Sequence, residues 1–289
     1  MGIVNDAMVL AIHVGMWSGQ RFDRDATSRV TRDNHASHDA ARVNKHLVPR
    51  EALARITSAA GAIRTHYYAL TLPWRDNGDR LLTRKMYMQF MNEHAKLRDA
   101  FYTEVNQFLE VTYPSSVARA EFRMGDMFDP RDYPDAMYLA SKFYVTLDID
   151  AVTEASDFRV TMEADEREAI KSQMESAMGD RINRAVGDVW ARLHKVVENL
   201  HSRLADKDAI FRDSLLSNVR DLAEMIPALN VLEDEALAEV GERTLAMLNG
   251  VEPASLRKQP EAREEVADAA QEILDIMSGY LKAFDGMKS

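Results

Sequence analysis

The chain has 289 residues, 46% of them apolar and 29% charged, with 12 Gly, 8 Pro and no cysteine. This apolar content supports a packed core, and so few Gly and Pro favour long amphipathic helices over short strands; the missing cysteine excludes disulfides, thiolate zinc sites, iron–sulfur clusters and cysteine nucleophiles. The net charge of −11 is uneven: residues 1–150 hold 19 Lys/Arg and 19 Asp/Glu, residues 151–289 hold 17 and 28, and the second set would repel phosphate backbones and suit a partner with basic surfaces.

Ala7 to Trp17 form a compact apolar run closed by Ser18-Gly19, which reads as a buried strand. The run is too short to span a bilayer, contains His13, and lacks the preceding basic residue of a signal peptide. The expectation is a soluble, intracellular protein with no membrane partner.

Residues 20–64 turn basic, with nine Lys/Arg against five acids. Basic residues interleaved with aromatics are the pattern that holds phosphates and stacks bases. Here the candidates for nucleic-acid contact are Arg21, Arg24, Arg29, Arg32 and Arg42 around Phe22, joined further on by Trp74 and Arg75. The competing reading makes Trp74 core. His35 and His38 lie between Asp33 and Asp39, and His194 and His201 share a helix face, but no third ligand stands at a metal-binding spacing; no metal or other cofactor is predicted.

After Val48-Pro49 a helix is marked by Leu53, Ile56, Ala60, Ile63 and Tyr67 on one face. Pro73 ends it, Asp76-Asn77-Gly78-Asp79 tolerates positive φ, and Thr83 is an N-cap for the next helix. Residues 72–79 therefore read as the corner of a helical hairpin, anchored by Trp74. From Tyr87 the spacing predicts one helix up to Tyr113-Pro114, followed by a shorter one and an irregular stretch through Pro130 and Pro134. Phe143–Ile149 and Phe158–Met162 alternate apolar and polar residues and predict two adjacent strands.

From Asp165 the pattern is helical to the end. Ile182, Val186, Val189, Leu193, Val196 and Leu200 form a heptad seam that needs a partner helix. The expected partner is the next helix, capped by Asp208 and carrying Phe211, Leu215, Val219, Leu222, Ile226 and Leu229, in an antiparallel hairpin. Two more helices follow, at about 233–249 and 260–284.

Catalytic signatures are sparse. Neither G-x-x-x-x-G-K-[ST] nor G-x-G-x-x-G nor H-E-x-x-H nor G-x-S-x-G occurs. Asp126, Asp129, Asp132 and Asp135 cluster in sequence, and read either as caps and turn formers or as carboxylates of a hydrolase.

Several strings together resemble an uncharacterised family of phage-encoded proteins. They are Trp17-Ser18-Gly19-Gln20-Arg21, Thr71-Leu72-Pro73-Trp74, Gly78-Asp79-Arg80-Leu81-Leu82, Asp132-Tyr133-Pro134, Asp157-Phe158-Arg159-Val160, Trp190 with Leu193, and Phe211-Arg212-Asp213-Ser214-Leu215. Members are often encoded beside MoxR-type AAA+ ATPases and proteins with von Willebrand factor A domains. The resemblance implies an adaptor, substrate or regulator of such a machine in the host-cell cytoplasm, and supplies no catalytic residue.

The expectation is a mainly α protein: a long, coiled-coil-like helical hairpin plus further helices, with a small β element of two or three strands. Residues 1–162 are expected to form a mixed helical lobe with the sheet, and 163–289 an acidic all-helical lobe. The expected function is non-enzymatic interaction with a protein partner, such as the AAA+ ATPase or a second copy; the alternative is a DNA- or RNA-binding accessory role through residues 20–64.

Overall fold

A computed structural model describes residues 3–158, 160 and 163–286, with side chains up to Tyr280. The protein is mainly α, with a small β element. The chain opens with α1 (Ile3–Asp6), β1 (Ala7–Gly15), β2 (Gln20–Phe22), α2 (Arg24–Asp33), β3 (Asn44–His46), α3 (Ala54–Leu70), β4 (Leu72–Pro73) and β5 (Arg80–Thr83). It continues through α4 (Tyr87–Gln107), α5 (Tyr113–Ala118), α6 (Ala120–Met124), α7 (Ala136–Ala140) and β6 (Tyr144–Ala151). The remaining elements are α8 (Ala164–Ala205), α9 (Ser214–Leu229), α10 (Glu235–Met247), α11 (Pro253–Lys258) and α12 (Pro260–Gly286). Among the described residues no helix is long and apolar enough to cross a membrane.

Two compact units share the chain, and they do not follow a single cut. Unit 1 gathers Met1–Ala11, Leu70–Met88 and Asp148–Ser289; unit 2 gathers Ile12–Ala69 and Gln89–Leu147. The expected boundary at 162/163 falls inside unit 1. The reason lies in long-range pairing: Ala7 to Leu10 of β1 lie antiparallel to Thr83 to Arg80 of β5, and Leu72 of β4 pairs with Leu81. The four-stranded sheet has the order β4-β5-β1-β6. Unit 2 carries 15 Lys/Arg and 14 Asp/Glu, which leaves 21 against 33 in unit 1, so the acid excess of the protein belongs to unit 1.

In unit 1, residues 72–83 correct the expected helical corner. They form a β-hairpin, because Leu72, Leu81 and Leu82 are apolar on strands that bury them and Gly78 takes the positive φ of 100° that the turn demands. Trp74 is 1% exposed and so an anchor. Thr71 ties the hairpin to α8: its carbonyl accepts from Arg80 and from Arg192, each at 2.7 Å. Thr83 does cap the turn that begins the next helix, accepting from the Met86 amide, and its hydroxyl also donates to the Ala228 carbonyl of α9 at 2.8 Å.

Helix α8 runs for 42 residues and packs most extensively along α12, then along α9. The expected hairpin partner is therefore the lesser of two. Helix α9 begins at Ser214, later than expected; Phe211 precedes it, buried beneath the guanidinium groups of Arg257 and Arg263. Arg263 also ends α8. It donates to the carbonyls of Leu204 at 2.9 Å, Arg203 at 2.8 Å and Ala209 at 3.1 Å, giving partners to acceptors that a helix end leaves open. Helices α9 and α10 approach closely, and a Cβ on Gly241 would stand 3.2 Å from Ile226 Cγ2.

Unit 2 is built on α3 and α4. Ile56, Ala60 and Ile63 of α3 meet Phe101, Val105 and Phe108, with Tyr113, Leu139 and Phe143 closing the core and Trp17 packed against it. The predicted helix over 87–113 is interrupted by a π-turn at Phe108–Thr112. Pro114 explains it: proline has no N–H and its ring collides with the carbonyl four residues back, and a widened turn makes room. The strand expected at Phe143–Ile149 appears as β6. The strand expected at Phe158–Met162 rests on residues 159, 161 and 162, which lie outside the described residues.

Candidate functional site

The two halves of α8 differ in burial. Ala185, Val186, Val189, Trp190, Leu193, Val197, Leu200 and Leu204 are buried, and no residue from Ala164 to Arg184 is. Four of the six predicted seam residues, Val186, Val189, Leu193 and Leu200, are in that buried set; Ile182 and Val196 are half-buried. The buried seam runs instead through Trp190, Val197 and Leu204, whose steps of four and three from Val186 were legible in the sequence. Trp190 stacks on Tyr280 of α12 with ring centroids 4.9 Å apart.

The exposed half is an arm. Ile170, Met174, Ala177 and Met178 recur at three- and four-residue spacing and are half-buried, so one side of an otherwise polar helix is apolar. Asp165 and Glu166 sit in the first turn, where the positive end of the helix dipole favours carboxylates. Among the described residues the first ion pair met along the helix is that of Arg184 with Asp76, at 2.6 Å. Between Trp74–Asn77 of the hairpin tip and Ala177–Arg184 lies a cleft of about 400 Å3. Arg75, Arg181 and Arg184 line it; Arg75 holds Asp79 at 3.1 Å, and Arg181 has no carboxylate partner among the described residues.

The candidate nucleic-acid residues divide between the units. In unit 2, Arg24, Arg29 and Arg32 are exposed on α2 without ion pairs among the described residues, and the Arg42 guanidinium lies 4.5 Å over the exposed Phe22 ring. Arg21 is engaged: its Nε lies 2.9 Å from Asp132 Oδ1. Trp74 and Arg75 belong to unit 1.

Asp132 anchors a polar cluster that the sequence did not reveal. It is 7% exposed and pairs with Lys45, whose ammonium also donates to the Met127 carbonyl at 3.1 Å and lies 3.8 Å from Asp23. Asp23 in turn caps α2, accepting from the Ala26 amide at 2.8 Å. The other three carboxylates do turn work or none: Asp135 caps α7, Asp129 accepts from the Arg131 amide and side chain, and Asp126 sits in an exposed turn. The Arg131 hydrogen bonds hold Asp129 down to about 2. Tyr113 donates to the Pro134 carbonyl at 2.7 Å, and burial pushes its hydroxyl up to about 12.

Also in unit 2, the Phe90 ring lies between those of His66 at 4.9 Å and His94 at 5.7 Å. His94 is 5% exposed and its Nδ1 has no hydrogen-bond partner among the described residues. Burial, with the nearby His66 and Arg98, lowers its pKa and keeps the ring neutral. Comparison of the chain with protein-family models, with curated proteins and with solved structures returns no match.

Proposed function

We propose that this chain is a non-enzymatic interaction protein, phage-encoded and at work in the host cytoplasm, that docks protein partners through the first half of α8. The observation that carries the reading is the arm itself: α8 has 42 residues, and its first half, Ala164–Arg184, buries none of them. Most of the stability of a protein helix comes from packing an amphipathic face. A half whose Ile170, Met174 and Met178 remain only half-buried is a surface that gains by being covered.

The resemblance to phage proteins encoded beside MoxR-type AAA+ ATPases supplies the partner class. The acid excess of unit 1 favours a partner with a basic face. The engagement of Asp129, Asp132 and Asp135 in caps and ion pairs weighs against the hydrolase reading.

The test mixes the purified chain with a MoxR-type ATPase of the phage family it resembles, reading complex formation and ATP turnover. Binding that Ile170→Asp with Met174→Asp abolishes is the expected result; binding unaffected by these changes would refute the arm as the docking element.

A second reading rests on Arg24, Arg29 and Arg32, exposed and without ion pairs among the described residues, and on the Arg42–Phe22 pair of the same unit. It makes unit 2 a nucleic-acid contact. Phosphate contacts predict an affinity for single- or double-stranded oligonucleotides that falls steeply with salt, and no binding at low salt would remove it.

A further inference from the structure

We infer that two copies of this chain pair through their arms, antiparallel, about a two-fold axis passing close to Gln173 and Met174. The inference rests on the reading of Ala164–Arg184 as a docking surface and names its first occupant. It starts from charge. The arm begins with an acid excess, Glu163, Asp165, Glu166 and Glu168 against Arg167, and ends with a basic one, Arg181 and Arg184 against Asp180, beside Arg75 in the cleft. A helix charged oppositely at its two ends complements a copy of itself only when the copy runs the other way.

Helix geometry makes this specific. At 100° per residue, Glu166, Ala177 and Arg184 lie toward one flank of the Ile170–Met174 line, Lys171 and Glu175 toward the other, and Glu163 and Arg181 on the line itself. A two-fold axis brings like flanks together. With Ile170 set opposite Ala177 of the copy, Glu163 meets Arg184, Glu166 meets Arg181, and Lys171 meets Glu175 on the far flank. Symmetry makes each contact twice, as an isologous interface requires. A parallel pair would set Glu163 against Glu163 and Arg181 against Arg181.

The cleft shows where the basic end of the arm is open to a partner. Arg181 lines it with no carboxylate partner among the described residues, while Arg75 and Arg184 each hold one through a partly exposed ion pair. Arg75, Arg181 and Arg184 line the cleft together with Asp76 and Asp180, in a unit with 33 acids against 21 bases, and its space of about 400 Å3 is where the acidic first turn of a neighbouring arm would reach Arg181.

Sedimentation of the full chain over a range of concentrations tests the proposal. A concentration-dependent dimer that weakens with salt is expected. Glu163→Arg with Glu166→Arg, and separately Arg181→Glu with Arg184→Glu, should each weaken it by at least about tenfold, since several charge pairs turn repulsive together. Mixing those two variants should restore a heterodimer, which damage to the fold would not do. Because the chain has no cysteine, Met174→Cys adds a single thiol near the axis, and oxidation should link two copies through it.

A wild-type chain that stays monomeric at every concentration, or a dimer indifferent to both charge reversals, overturns the inference. If such a monomer still loses its ATPase partner on Ile170→Asp with Met174→Asp, the docking arm stands and only its occupant is wrong. If neither assay responds to the arm, both readings fall.

Discussion

The two halves of α8 share one backbone conformation and meet opposite surroundings. From Ala185 to Leu204 the helix places Trp190, Leu193, Val197 and Leu200 against α12 and α9, and Arg263 closes its end; from Ala164 to Arg184 it buries nothing. Helical periodicity therefore says where a side chain points and leaves open whether anything is there to meet it. In the second half the seam is core. In the first half the same kind of stripe is surface, and the docking proposal rests on that difference.

The largest expected effect lies in the buried half. Trp190→Ala removes a fully buried indole stacked on Tyr280 and should cost about 3–5 kcal/mol in urea denaturation. Met174→Ala, in the arm, should change stability by no more than about 0.5 kcal/mol. Equal losses would erase the contrast between the halves.

Arg263→Ala comes next. Opening the last carbonyls of α8 should cost about 1–3 kcal/mol, with hydrogen exchange quickening first around Leu200–Leu204.

A proline in the arm sharpens the comparison further. Ser172→Pro costs about 3 kcal/mol within a helix, but that cost should fall on the arm alone. Helical ellipticity should decline while the thermal midpoint stays within about 2 °C, a shift that corresponds to a change in stability of less than about 1 kcal/mol. A drop of many degrees would mean that the arm belongs to the cooperative core.

Acid extends the same rule, burial against exposure, to unit 2, with the smallest effect. Burial lowers the His94 pKa in the fold below that of the unfolded chain. Stability is then full above the unfolded value of about 6.5 and is lost as the pH falls from there through the folded value, because the unfolded chain takes up the proton first. His94→Phe should flatten that part of the pH profile of denaturation midpoints.

Much of the fold was legible. The strand at Ala7–Gly15, the Thr83 cap, the helices over 54–70 and 164–205, and the strand in Phe143–Ala151 follow from runs, caps and spacing that operate within a few residues. Where reading failed, a distant partner had intervened. Leu72-Pro73 became a strand because Arg80–Thr83, itself held by β1, lay beside it; the seam on α8 rotated onto Trp190 and Val197 because α12, some 80 residues on, is its main neighbour. Of the candidate site residues, Arg24, Arg29 and Arg32 remain exposed as composition suggested, whereas Trp74 is core and Arg21 is taken by Asp132.

By itself, then, the order of residues determined helicity, caps, the acidic character of the later chain and the stripes on α8, since each depends on neighbours one to four positions away. Tertiary structure alone decided which stripe became core and which stayed half-buried at the surface, how unit 1 draws together three separate stretches of chain, and where Lys45 finds Asp132. Those outcomes depend on which apolar surfaces are available to cover one another, and burial is a property of the assembled molecule rather than of any local segment.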